Sequence, residues 1–282
     1  MRCNDQKLIW PHRSIDWLDA GNEEKAILVP CGKCVACLVS KRNDWTFRLQ
    51  QEHKVSRSAH FVTLTYDEKH RPSDGSLVKR HLQLYLKRLR RKDETTRIRY
   101  YAVGEYGSKT ARPHYHILLF NSNEDNIRKA WVDSNGNPVG IVHVGAVTDA
   151  SVAYVTKYLI QKEYLPGLEK PFATMSRAYG IGAHYLTDEM TNWHRSDDRN
   201  YTVRPGGLKG KLPRFYRDKI WYKPKDRERI SSKAMALSLA NIKKEEDYYK
   251  KKHGDNWQNY QKLAQHMEMS RVKTKIQFSQ KF

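Results

Sequence analysis

No stretch of this 282-residue chain approaches the roughly 20 consecutive apolar residues that span a bilayer, so a membrane-spanning helix is not expected. The opening residues, Met1-Arg-Cys-Asn-Asp-Gln-Lys7, lack the apolar segment of a secretory signal, and a cytoplasmic protein with reduced thiols is the expectation. Cysteine is scarce, four in all. The H-E-x-x-H pattern of helical zinc hydrolases is absent, as is any internal repeat. Acidic residues are few beside basic ones, 31 against 52, which leaves a net charge of +21 and a pI near 9.7. Basic residues are spread along the whole chain, and such an excess points to nucleic acid before an anionic membrane. A mean hydropathy of −0.84 implies a modest core with much of the chain facing solvent.

The order of elements is legible. Residues 38–55 combine Leu38, Trp45 and Leu49 with Lys41, Arg42, Arg48 and Lys54, a basic amphipathic helix. His60 to Tyr66 alternates Phe61, Thr63 and Thr65 with Val62, Leu64 and Tyr66, the period of a strand. A turn around Pro72 and Asp74-Gly75 leads to a basic helix over 77–91, with Leu82, Tyr85, Leu86 and Leu89 on one face. Residues 97–105 and 112–120 read as strands of an antiparallel hairpin. A short helix over 121–131, a turn at 133–138, a Val-rich strand over 139–147 and a helix from about 150 to 162, capped by Thr148 or Asp149, complete the series. The order β-α-β-β-α-β followed by a helix predicts an α+β protein with a ferredoxin-like core, one sheet face covered by helices and the other free for a site. The domains expected are a Cys-rich basic segment (1–57), the core (58–165) and a C-terminal extension (166–282). That extension runs from Pro/Gly-punctuated loops, wrapped on the core or on DNA, to a Lys/Glu-rich helical tail over about 225–271.

Three groups carry chemistry. His114 and His116 flank Tyr115 in a strand, so both imidazoles face one side while Tyr115 and Ile117 face a core. Glu105 ends the paired strand, and the hairpin brings its carboxylate to the imidazoles. Two histidines and one carboxylate leave positions open on a bound ion, a catalytic rather than structural arrangement that suits Mg²⁺ or Mn²⁺. Tyr154 and Tyr158 are i and i+4 on one helix face, with Lys157 beside them and Lys162 a weaker fourth member. An unperturbed phenol titrates near about 10, so a nucleophilic tyrosine needs positive charge nearby. Cys3, Cys31, Cys34 and Cys37 fit three readings: a structural zinc site with four thiolates, a redox pair, or unligated thiols.

Phe61-Val-Thr-Leu-Thr-Tyr66, Val103-Gly-Glu105-Tyr-Gly, Pro113-His114-Tyr115-His116 and Tyr154-x-x-Lys157-Tyr158 together resemble the ordered motifs of HUH rolling-circle replication initiators. The tyrosine pair and the leader Pro30-Cys-Gly-Lys-Cys-Val-Ala-Cys37 narrow the resemblance to the initiators of gokushoviruses, single-stranded DNA phages of the microvirus family. It covers about residues 29–162 and continues loosely through 175–182 and 212–216. The resemblance implies a metal-dependent endonuclease and strand transferase that nicks the origin of the circular replicative form. Tyr154 or Tyr158 becomes linked to the DNA 5′ end, Lys157 orients phosphate or stabilises the phenolate, and the freed 3′-OH primes replication. The second tyrosine then allows the displaced strand to be closed into a circle. The implied partners are single-stranded origin DNA, a host helicase and a host DNA polymerase, in the bacterial host cytoplasm. A plasmid or transposon relaxase fits the paired tyrosines and cysteine leader less well. A non-catalytic single-stranded nucleic-acid-binding module, with bases stacked on sheet aromatics, fits His114 and His116 poorly.

Overall fold

The computed structural model describes residues 3, 5–9, 27–94, 96–158 and 165–278. The chain divides into two compact units, Asn43–Tyr222 and Met1–Arg42 with Lys223–Phe282. The second of these opens with strands β1 (Lys7–Ile9) and β2 (Ile27–Val29), which pair antiparallel. Helix α1 (Val35–Val55) follows, and the boundary between units falls within it.

The larger unit is built on β3 (Ala59–Thr65), α2 (Lys79–Lys92), β4 (Arg99–Tyr106), β5 (Pro113–Phe120), α3 (Glu124–Lys129) and β6 (Val142–Ala146). The strands lie in the order β6-β3-β5-β4, all antiparallel, the ferredoxin-like arrangement expected from the sequence. Helix α4 (Asp149–Lys157) follows β6 directly. Its start is set by Thr148, whose side chain accepts from the Ser151 amide while the Ser151 hydroxyl takes the Thr148 N–H.

One sheet face forms a core with α2. Val62, Leu64, Ala102, Tyr115, Ile117 and Leu119 meet Leu82, Tyr85, Leu86 and Leu89, whose spacing of three and four residues puts them on one stripe. Each of these leucines contributes about 1.5–3 kcal/mol by burial. The cations Arg90, Arg91 and Lys92 close the last turn, where the helix dipole favours positive charge.

The opposite face was expected to be free. Instead a second core covers much of it: Tyr101, Val103, Leu118 and Phe120 pack with Leu49 of α1, Val152 and Val155 of α4, and Ile181. The apolar residues of 38–55 and 150–158 are what the sheet's second face requires, and Glu105, His114 and His116 continue that face beyond the second core.

A fifth strand, β7 (Phe172–Met175), adds to the edge beyond β4 where loops were expected. The chain then continues through α5 (Asp188–Ser196), the short pair β8 (Tyr201–Val203) and β9 (Lys209–Lys211), and α6 (Arg214–Ile220). These segments wrap on the core. The Tyr216 hydroxyl donates to the Gly182 carbonyl at 2.8 Å, and Arg48 Nε donates to the Ile181 carbonyl at 3.0 Å. Gly182 has φ of 72°, and a Cβ there would sit 2.4 Å from the Arg48 carbonyl oxygen, so backbone approaches backbone only because the side chain is absent. Beneath this loop Glu52 and Arg99 form a buried ion pair at 2.9 Å. Arg99 also donates to the Ala178 and Gly180 carbonyls, and Glu52 accepts from the Gly182 amide at 2.6 Å. Every charge in this pair thus has partners, the condition for tolerating it in the interior.

The basic tail forms α7 (Pro224–His253) and α8 (Trp257–Phe278), as the Lys/Glu-rich composition predicts, broken at Gly254. Among the described residues no helix is long and apolar enough to cross a membrane.

Candidate active site

Register places the first two groups. On β5, His114 and His116 share a face by alternation. Glu105 on β4 lies directly opposite His114, and Thr63 on β3 directly opposite His116. Directly opposed residues hold their Cβ atoms roughly 4.5–5.5 Å apart, so the side chains meet without strain. Nε2 of His114 and Nε2 of His116 both lie 2.9 Å from Glu105 Oε1. Burial is high, with side-chain exposures of 16%, 9% and 6% for His114, His116 and Glu105.

The far side of each ring is also held. His114 Nδ1 donates to the Arg112 carbonyl at 3.1 Å, and His116 Nδ1 lies 2.9 Å from Thr63 Oγ1. Arg112 is itself fixed, donating to the Tyr66 carbonyl and pairing with Glu68. Phe61 stacks on His116 at 5.4 Å and 14°. Thr63 and Phe61 were not singled out from the sequence as site residues. Their position in the β3 alternation was the available signal, but their partner on β5 follows only from register.

Charge in the cluster is strongly coupled. Burial would raise the Glu105 carboxyl, but hydrogen bonds from both histidines outweigh it and hold it at about 2. Burial would lower His114, yet its contact with Glu105 carries it above the ordinary imidazole value. At His116 burial dominates and the pKa falls, helped by the charges of His114 and Lys157.

The residues fit a divalent ion. A carbonyl acceptor at His114 Nδ1 leaves Nε2 as the inward atom, and the Thr63 hydroxyl can accept from His116 Nδ1 in the same way. The three ligand atoms lie within 4.8 Å of one another. Ligands about 2.1 Å from one ion are separated by roughly 3 Å at a right angle, close to the separations found here.

Helix α4 adds the third group. The Tyr154 hydroxyl donates to Glu105 Oε1 at 3.0 Å and lies 3.4 Å from His116 Nε2. Its ring stands edge-on to His116 at 5.0 Å and to Tyr158 at 5.7 Å. Lys157 Nζ sits 4.0 Å from the Tyr154 ring centre and 5.3 Å from that of Tyr158. Burial, then the Glu105 charge, pushes the Tyr154 phenol up, and burial lowers Lys157. Tyr158 caps the C-terminus of α4. Lys162, with Leu159 and Ile160, lies outside the described residues.

The four cysteines come together elsewhere, in Met1–Arg42, where Cys3, Cys31, Cys34 and Cys37 form a second group able to hold an ion.

Fold and site thus define a ferredoxin-like domain whose sheet carries two histidines and a carboxylate next to a tyrosine-bearing helix. Residues 59–163 match the model of a family described as Replication-associated protein ORF2. The chain is 29% identical over 256 residues to Replication-associated protein VP4 of Bdellovibrio phage phiMH2K, covering 82% of this chain and 79% of that protein. It is 28% identical over 211 residues to Replication-associated protein ORF2 of Spiroplasma virus 4, covering 67% and 66% respectively. It is 25% identical over 218 residues to Replication-associated protein ORF4 of Chlamydia phage 1, covering 67% of this chain and 53% of that protein. These similarities bear out the resemblance to gokushovirus-type replication initiators. No solved structure matches the chain.

Proposed function

We propose that this chain is a phage replication initiator that nicks and rejoins origin DNA through a phosphotyrosine intermediate. The observation that carries the reading is the convergence of His114, His116 and the Tyr154 hydroxyl on one Glu105 oxygen, with Lys157 in the last turn of the same short helix and Tyr158 at its C-cap. We assign this chemistry to residues 58–165, with 1–57 and 166–282 as flanking regions.

Glu105, His114 and His116 would hold the metal. A divalent cation bound there, Mg²⁺ or Mn²⁺ in the cell, supplies Lewis-acid polarisation of the scissile phosphate. The chain's own residues do the rest. Tyr154 or Tyr158 attacks phosphorus, the P–O3′ bond breaks, the phenolic proton is lost and the departing 3′ oxygen gains one. The products are a 5′-phosphotyrosyl enzyme and a free 3′-OH. Lys157 stabilises the phenolate and orients phosphate from a position 4.0 Å from the Tyr154 ring. Burial, then the charge of Glu105 to which its hydroxyl donates, holds the Tyr154 phenol above the ordinary range.

The phosphodiester energy is kept in the covalent bond, and rejoining needs no nucleotide. After one round the second tyrosine cleaves the regenerated origin, and the new 3′-OH attacks the first phosphotyrosine to release a closed circle. The 3′-OH serves a host polymerase, aided by a host helicase, in the bacterial cytoplasm. The net charge of +21 suits a polyanionic partner.

The test is nicking of a single-stranded origin oligonucleotide. Cleavage abolished by EDTA, restored by Mn²⁺ and lost in His114→Ala supports the reading. Metal-independent cleavage, or full activity in His114→Ala, contradicts it.

A further inference from the structure

The DNA chemistry leaves one constellation unused, the four cysteines of Met1–Arg42. We propose that Cys3, Cys31, Cys34 and Cys37 bind a single Zn²⁺ ion as four thiolates, a structural site that fastens the β1–β2 pair to the start of α1. The assignment does not depend on the nuclease reading.

Geometry carries it. Four thiolates about 2.3 Å from one tetrahedral ion are separated by about 3.8 Å. Here Cys34 Sγ lies 3.7 Å from Cys3 Sγ, and Cys31 Sγ lies 4.0 Å from Cys37 Sγ. All four sulfurs fall within 4.8 Å of one another, and all four cysteines are free. That spacing suits one ion. An iron–sulfur cluster spreads its four thiolates over two or four irons and so needs some of them farther apart.

The backbone is arranged for sulfur acceptors that carry charge. The amides of Lys33 and Cys34 donate to Cys31 Sγ at 3.4 and 3.2 Å, and the Cys31 amide donates to Cys3 Sγ at 3.2 Å. Gly32, at φ of 74°, supplies the left-handed turn that aims the next two amides back at Cys31. Cys34 immediately precedes α1 and Cys37 lies in its first turn, so one helix end carries two of the four sulfurs.

Sequence distance explains the structural role. Cys3 is 28 residues from Cys31, and the strands between them pair over three residues each. Lys7 opposite Val29 puts the chain before β1 and the chain after β2 at the same end, which delivers Cys3 to the Cys31 loop. A two-stranded ribbon is marginal in water by itself, and a metal closing a loop of this length supplies the missing constraint. Binding releases one proton from each thiol that carries one, and no electron is transferred.

The experiment uses the full chain, expressed with zinc available and purified without chelator. Zinc X-ray absorption on the unaltered protein should show four sulfurs at about 2.3 Å. In the His114→Ala variant, which removes a ligand from the other centre, one zinc per chain and the sulfur shell should persist. Cobalt substitution should produce thiolate-to-metal charge transfer and tetrahedral d–d bands, and the Cys31→Ser/Cys34→Ser variant should lose both along with its zinc. A first shell of nitrogen and oxygen, tightly bound iron in place of zinc, disulfides among the four cysteines, or undiminished zinc in the double variant would each overturn the proposal.

Discussion

Thr63 offers a quantitative test of how the candidate metal centre is held together. Its hydroxyl lies 2.9 Å from His116 Nδ1, and His116 is only 7% exposed, so no solvent replaces that contact readily. Thr63→Val keeps the shape of the side chain and removes the oxygen. The outer nitrogen of a ligating histidine is then left unsatisfied, at a cost of about 1–3 kcal/mol. Loss of such an outer partner weakens metal binding by about 10–100-fold, which is about 1.4–2.8 kcal/mol. Calorimetric titration with Mn²⁺ reads this directly, since thiolates compete poorly for that ion. Thr63→Ser should restore affinity, because the hydroxyl returns. Thr65→Val is the control: Thr65 stands opposite His114 in the register, but its Oγ1 donates to the Ile141 carbonyl at 3.3 Å and not to a ring nitrogen. Unchanged Mn²⁺ affinity in Thr63→Val, or an equal loss in Thr65→Val, would show that the Thr63 hydroxyl does not hold His116 for the metal.

The same centre has a pH signature. In the metal-free chain, protonated His114 contributes stability that is fully present below the ordinary imidazole value near about 6.5 and lost as pH rises through its raised folded value. Metal binding needs the deprotonated ring, so Mn²⁺ affinity should climb across that window, and His114→Gln should flatten the rise. Lys157→Met should cut nicking by about 100-fold while leaving oligonucleotide binding within a few-fold, measured by single-turnover cleavage beside fluorescence anisotropy. Arg99→Met leaves the Glu52 carboxylate buried beside Gly182 and should cost about 3–5 kcal/mol in urea unfolding, with Glu52→Gln/Arg99→Met costing less than the sum of the two single changes.

Much of the site was legible because strand periodicity is simple. Alternation along 112–120 put His114 and His116 on one face, and the hairpin put Glu105 across from them. Those are local patterns. What escaped was set by contacts between distant segments. The burial of the histidine-bearing face by Leu49 and Ile181 depends on where α1 and the 176–182 loop pack, which basic residues around Leu49 do not announce. Strand β7, Phe-Ala-Thr-Met, is too short for its period to register and exists because β4 offers a free edge. Thr63 looked like any β-branched strand residue until register placed it opposite His116. Likewise Cys3 could be counted with the other cysteines, but only the pairing of β1 with β2 brings it to them.

Assignment of the covalent bond to Tyr154 and Tyr158 is the chemical core of the proposed function. It is tested most directly by mapping the adduct formed between the full chain and a 5′-labelled or 3′-labelled origin oligonucleotide in the presence of Mn²⁺. Peptide mass spectrometry should find a 5′-phosphate on Tyr154 or Tyr158, each Phe variant should shift the adduct to the other tyrosine, and Tyr154→Phe/Tyr158→Phe should bind the oligonucleotide without forming any adduct. A covalent complex that persists in the double variant, or a phosphate mapped to another residue, would contradict the account.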